Sequence, residues 1–187
     1  MHVLAFEADP LFRHMLPWGR ARWTRWFFMR ALNEAFAVDG AFTLEGGPEL
    51  GAMALLPPGT WPPKWYAELG ATPLPPGLPP WRLVRDGLHV ERRIHALHPD
   101  EAHLYIYVLG VHPAQHGRGL GGALLRHAGA LADAAGVPSH LETANPVNLG
   151  LYRHFGFEVK TEVTSHGGPP LWTMTRPKPP ALPKTPA

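Results

Sequence analysis

The sequence predicts an α/β (α+β) domain, a mixed and mostly antiparallel sheet flanked by helices. Three observations predict it. The 187 residues are 45% hydrophobic and 17% charged, enough for one domain with a sizeable core. Helical and strand-like apolar patterns alternate along the second half. Gly- and Pro-containing connectors separate them.

In order, Asp9 to Leu16 reads as a short helix with Pro10 at its first position, where the missing N–H costs nothing. Phe28, Ala31, Leu32 and Ala35 fall at i, i+3, i+4 and i+7, so Trp18 to Ala37 is a helix with a buried stripe. Ala41–Leu44 and Leu50–Leu56 flank a Gly-containing connector and predict an antiparallel hairpin. Pro57 to Pro80 contains nine prolines and reads as a long structured loop, with a helical turn at Lys64–Leu69. Trp81 to Leu97 is helical. His103 to Val111, rich in β-branched and aromatic residues, is a largely buried strand. Leu120 to Ala135 is a helix closed by Gly136, and Ser139–Thr143 is a short strand. Val147 to Phe155 is a short helix ending at Gly156, a left-handed cap. Phe157–Thr164 and Pro170–Thr175 form a last hairpin. The domain is expected to span residues 1–176, with a disordered Pro/Lys-rich tail over 177–187.

Composition excludes several classes. No apolar stretch reaches the ~20 residues of a membrane span. Cysteine is absent, which removes disulfides, thiolate metal sites and a cysteine nucleophile. The N-terminus lacks a basic start followed by an apolar run, so the expected location is cytoplasmic. A net charge of +2 gives a weak long-range field. The 12 histidines are scattered with no zinc-type spacing, so no metal is expected.

The most informative segment is the Gly-rich turn from Val111 to Gly122, between the strongest strand and the strongest helix. Glycines let a ligand approach the backbone, and the unpaired N–H groups of a helix N-terminus favour a phosphate. A tight turn that needs glycine only for geometry is the plainer alternative. Gly117-x-Gly119-x-x-Gly122 with Glu142 twenty residues on also fits a dinucleotide fingerprint. That fingerprint opens directly after its strand, however, and too few residues follow for a doubly wound sheet.

The turn resembles the acetyl-CoA pyrophosphate loop of the GCN5-related N-acetyltransferase (GNAT) family, Gln/Arg-x-x-Gly-x-Gly/Ala. His116 stands at the first position, where it departs from Gln/Arg, and Gly119 and Gly121 at the two glycines. Further on, Asn145, Asn148, Tyr152, Gly156 and Phe157 resemble the family's Asn-x-x-x-Tyr…Gly-Phe signature. Segments 140–149, 171–176 and 56–61 are most similar to puromycin N-acetyltransferase-like bacterial members. The resemblance implies a GNAT fold. That fold normally opens with a strand, and here the first strand is missing or truncated, or the native start lies upstream of Met1.

The implied reaction is attack of a primary amine on the thioester of acetyl-CoA. Tyr152 would protonate the departing thiolate, since a phenol near pKa 10 roughly matches a thiol. Asn148, one turn before Tyr152, would bond the pantetheine arm or hold the helix start. Backbone groups of Leu109 and Val111 would pair with pantetheine where the strand splays, and an N–H near Leu109 or Gly110 would face the oxyanion. The diphosphate would lie on His116, Gly117, Arg118, Gly119, Leu120, Gly121 and Gly122. Glu142 is the chosen base, with His103, Glu101 or water as rivals. His103, Tyr105 and Tyr107 share one strand face by the period of two.

The acceptor expected is a small amphipathic amine, because the segments that would line its cleft are aromatic and mildly charged. A non-catalytic acyl-CoA sensor and a transferase acting on a protein or peptide amine are the alternatives. Arg20, Arg22, Arg25 and Arg30 interleave with tryptophans, but near-neutral overall charge argues against nucleic acid as a partner. Exposed tryptophans make a homodimer plausible.

Overall fold

The computed structural model describes residues 3–6, 8–62, 77–164 and 167–179. A 3-10 turn at Val3–Phe6 leads to α1 (Pro10–Met15) and α2 (Arg20–Phe36), then β1 (Ala41–Thr43) and β2 (Gly51–Leu56). α3 (Trp81–Leu97), β3 (Leu104–Val111), α4 (Leu120–Ala135), β4 (Ser139–Thr143), α5 (Val147–His154), β5 (Glu158–Thr164) and β6 (Pro170–Arg176) follow. The strands form one sheet in the order β1-β2-β3-β4-β6-β5, antiparallel throughout except for the β3–β4 pair.

The expected architecture is therefore present. Among the described residues no strand precedes Ala41. The expected turn at Lys64–Leu69 and most of the C-terminal tail lie outside the described residues. No described helix is long and apolar enough to cross a membrane.

Boundaries moved where local backbone geometry decides them. α2 starts at Arg20, two residues later than its apolar pattern suggested, because Gly19 takes a left-handed φ of 60° and breaks the chain before the helix. Asp9 caps α1 by accepting from the N–H groups of Leu11 and Phe12 at 2.9 and 3.1 Å. Gly136 and Gly156 hold the left-handed conformations that end α4 and α5.

Two cores sandwich the sheet. On one side Leu104, Ile106, Leu124, Leu125, Leu141, Tyr152 and Met174 pack beneath α4 and α5. On the other, Phe28, Ala31 and Ala35 of α2 meet Ala54 and Val108, with Phe6, Phe12 and Phe27 closing the edge. His14 of α1 lies 3.0 Å from Asp86 of α3, joining two helices that cover the second face.

Candidate active site

Strands β3 and β4 pair at only two positions, Leu104 with Ser139 and Tyr105 with His140. The reason lies two residues further along β3. Against β2, Ala54 faces Val108 but Leu55 faces Ile106, so Tyr107 is an extra residue, a β-bulge. A bulge raises local twist and bends its strand. It also breaks the side-chain alternation. Leu104 and Ile106 pack on the α4 side, Tyr107 and Val108 both join the α2 side, and Leu109 and Val111 return to the α4 side. Beyond Tyr105 no residue of β3 pairs with β4, and a wedge opens between them.

The Gly-rich turn sits at the end of that wedge. Pro113–Gln115 makes one 3-10 turn, and Gly119 caps α4 with a left-handed φ of 74° and no side-chain hydrogen bond. The first N–H groups of α4 therefore have no partner within the described residues. Gly122 has a different purpose, since a Cβ there would come within 3.1 Å of the Phe155 ring. Gly121 borders Val111 and Leu151, which places the end of β3 against α5. His116 folds back, its Nε2 3.1 Å from the Val111 carbonyl oxygen. Arg118 reaches Gln115 on the exposed side of the turn.

Tyr152 is buried in the α4-side core beside Phe157. Burial, helped by the charge of Asp9, pushes its phenol up to about 12. The hydroxyl is thus a proton donor across the physiological range, but a weaker acid than an ordinary phenol. The side chain of Asn145, not of Asn148, holds the start of α5 by accepting from the Val147 N–H at 3.1 Å. This removes one of the two roles expected for Asn148.

Glu142 lies on the opposite face of the sheet, and its surroundings are dense. Its Oε2 accepts from the Tyr105 hydroxyl at 2.6 Å, and its Oε1 is 3.0 Å from His140 Nε2. His98, at the end of α3, brings Nδ1 to 3.6 Å from the same oxygen, beyond hydrogen-bond reach. His140 turns its other nitrogen to Thr175 Oγ1 at 3.1 Å. Trp61 stacks on His98 with ring centroids 3.8 Å apart. The side chains of His98, His140 and Glu142 are only 3%, 1% and 7% exposed, so this is a buried polar group rather than a solvated cluster. Burial and the neighbouring imidazoles hold His98 neutral, its pKa down to about 2. His103 stands beside it with Nδ1 bonded to the Glu101 carbonyl at 2.8 Å, and burial holds it below the usual range too.

The shared face expected for His103, Tyr105 and Tyr107 is present, with the two tyrosine rings stacked at 5.5 Å. Tyr107 is in turn reached by Arg30 of α2 at 3.4 Å, and Arg30 pairs with Glu34 at 2.8 Å. Glu101 contributes its backbone carbonyl to this site, while its carboxylate lies 3.6 Å from Lys178 on the surface. Sequence reasoning did not single out His98, His140 or Trp61. His140 was findable from Glu142, since residues i and i+2 of a strand share a face. His98 and Trp61 were not, because the chain's path over that face brings them in.

Residues 85–159 match the family model described as an acetyltransferase (GNAT) domain. Among solved structures, histone acetyltransferase HPA2 and related acetyltransferase from Corynebacterium glutamicum matches with a TM-score of 0.62 and 23% identity, over 98% of this chain and 89% of that one. Arylalkylamine N-acetyltransferase 2 from Aedes aegypti matches with a TM-score of 0.61 and 14% identity, over 92% and 88%. The C-terminal condensation domain of Ebony, in complex with beta-alanyl-dopamine, matches with a TM-score of 0.62 and 13% identity, over 94% and 90%. Residues 85–159 are thus similar to a GNAT acetyltransferase domain, and the solved structures share the fold. By the family-model match it is an enzyme of the acyltransferase class, and the co-substrate such a domain implies is acetyl-CoA.

Proposed function

We propose that the protein transfers an acetyl group from acetyl-CoA to a primary amine of a small molecule by direct attack. The observation that carries this is the wedge between β3 and β4. At its outer end lies an uncapped helix N-terminus suited to a diphosphate. At its inner end the two faces of the sheet offer different chemistry, a buried phenol on one and a buried carboxylate on the other.

Pantetheine would run along β3 as an added strand, bonding backbone groups of Leu109 and Val111. An N–H near Leu109 or Gly110 would face the carbonyl oxygen as it gains charge. Glu142 would take the amine proton, with the Tyr105 hydroxyl and His140 fixing its two oxygens. Tyr152 would donate toward the sulfur as the carbon–sulfur bond breaks. Asn148 would bond the pantetheine arm.

The acceptor reading rests on the walls of the Glu142 face. Trp61, Tyr105, Tyr107 and Phe27 are aromatic, with ring contacts at 4.9 to 6.3 Å. Such walls suit a flat or amphipathic amine better than a polycation. Similarity of segments 140–149 and 171–176 to puromycin N-acetyltransferase-like members points the same way. The test is thiol release from acetyl-CoA with a panel of arylalkylamines, aminonucleosides, aminoglycosides and peptide N-termini. Turnover confined to peptides would replace this acceptor class, and tight coenzyme binding without turnover would favour a sensor.

A further inference from the structure

We propose that His98, His140 and Glu142 form a binding site for one borderline divalent cation of the zinc class. Their donor atoms all lie within 4.8 Å of one another. His140 Nε2 is 3.0 Å and His98 Nδ1 is 3.6 Å from Glu142 Oε1. Donors about 2.0–2.1 Å from a tetrahedral zinc stand about 3.3 Å apart, so the two distances bracket the edge such an ion sets.

The independent sign is His98. Its side chain is buried, and neither ring nitrogen has a hydrogen-bond partner among the described residues. Buried polar nitrogens are ordinarily satisfied, and an imidazole held neutral with a free lone pair is what a metal ligand requires. The surroundings supply what metal ligands usually have behind them. His140 is oriented through its other nitrogen by Thr175 Oγ1. Glu142 is oriented by the Tyr105 hydroxyl, and the His98 ring plane by Trp61. His103 bonds Glu101 through Nδ1, which leaves its buried Nε2 also without a partner. Two nitrogens and one carboxylate oxygen with a position left open match a three-ligand zinc site. Spacing gave no hint of it, since one ligand follows α3 and two lie on β4.

The cation and the amine proton would compete for the same carboxylate. Acetyl transfer therefore falls in proportion to loading, a consequence that rests on the role proposed for Glu142. Binding itself does not rest on it. The test uses the untagged full-length chain, stripped with a chelator and titrated with cobalt(II). One equivalent should saturate a four-coordinate cobalt absorption band, and zinc should abolish it by displacement. X-ray absorption at the zinc edge should then report at least two imidazoles. His98→Phe keeps a ring on Trp61 and should weaken cobalt binding at least tenfold, whereas His127→Gln, on the exposed side of α4, should leave it unchanged. Absence of a saturable band, a band untouched by His98→Phe, or fewer than two imidazoles on zinc overturns the site. Should His98→Phe not fold, the two wild-type measurements decide alone. Because none of these reads acetyl transfer, failure of the site is distinguishable from failure of the transferase reading.

Discussion

Replacing Tyr152 by Phe removes one oxygen and leaves the ring beside Phe157 in place. The structure sets the size of the effect. Burial and the Asp9 charge push the phenol up to about 12, while a thiol lies near 8.5. Complete proton transfer to a free thiolate would thus be uphill by about 3.5 units, or about 5 kcal/mol. A phenol so placed acts best by hydrogen-bonding the sulfur while charge develops on it, with the proton following later. A hydrogen bond to a charged group contributes about 1.5–3 kcal/mol, so turnover should fall about 10- to 150-fold. The KM for acetyl-CoA should change little, because the bond strengthens only as the thioester breaks. The assay is free-thiol release from acetyl-CoA with the best amine of the panel, alongside thermal unfolding to show the fold is kept. In wild type, no limb of the pH profile below about pH 10 should belong to this tyrosine, since its hydroxyl stays protonated there. A loss below threefold, or a rise in KM that accounts for the whole loss, would refute the assignment.

Other perturbations follow from the same geometry. Glu142→Gln keeps an acceptor for Tyr105 but removes the base, so kcat/KM should drop about 10²- to 10⁴-fold with coenzyme affinity intact; unchanged kcat/KM would hand the role to His103 or water. Gly119→Val forces a β-branched residue to a φ of 74°, so coenzyme binding measured calorimetrically should weaken at least tenfold. Gly40→Ala would put a Cβ 2.0 Å from the Leu55 carbonyl oxygen, a backbone clash that should cost about 3 kcal/mol in urea unfolding; wild-type stability would contradict it. The Asp133–Arg176 pair ties α4 to β6 at 2.7 Å, and the guanidinium holds the Asp133 carboxyl below its usual value. Its contribution is present above about pH 4 and lost as the carboxyl protonates below that. Asp133→Asn, at a partly exposed site, should cost under about 1 kcal/mol at pH 7 and nothing at pH 2 by chemical denaturation.

Much of this protein was legible in its residues. Helices and strands announced themselves because apolar side chains recur with the period of the element that buries them, as Phe28, Ala31 and Ala35 do on α2. Gly136 and Gly156 marked helix ends because a left-handed backbone is a demand made by one residue on itself. The Gly-rich turn and the Tyr152 helix were readable for the same reason, as contiguous segments with local geometry. Three things were decided elsewhere. The bulge at Tyr107 arises from how β3 registers on β2, so strict alternation fails after that residue and the wedge follows. The acidity of Tyr152 depends on the core that closes over it and on Asp9, far away in sequence. His98 and Trp61 meet His140 and Glu142 only because the chain returns over that face of the sheet. Local pattern records what each residue asks of its own backbone and neighbours, whereas register, burial and long-range charge exist only once distant segments share a dry interior.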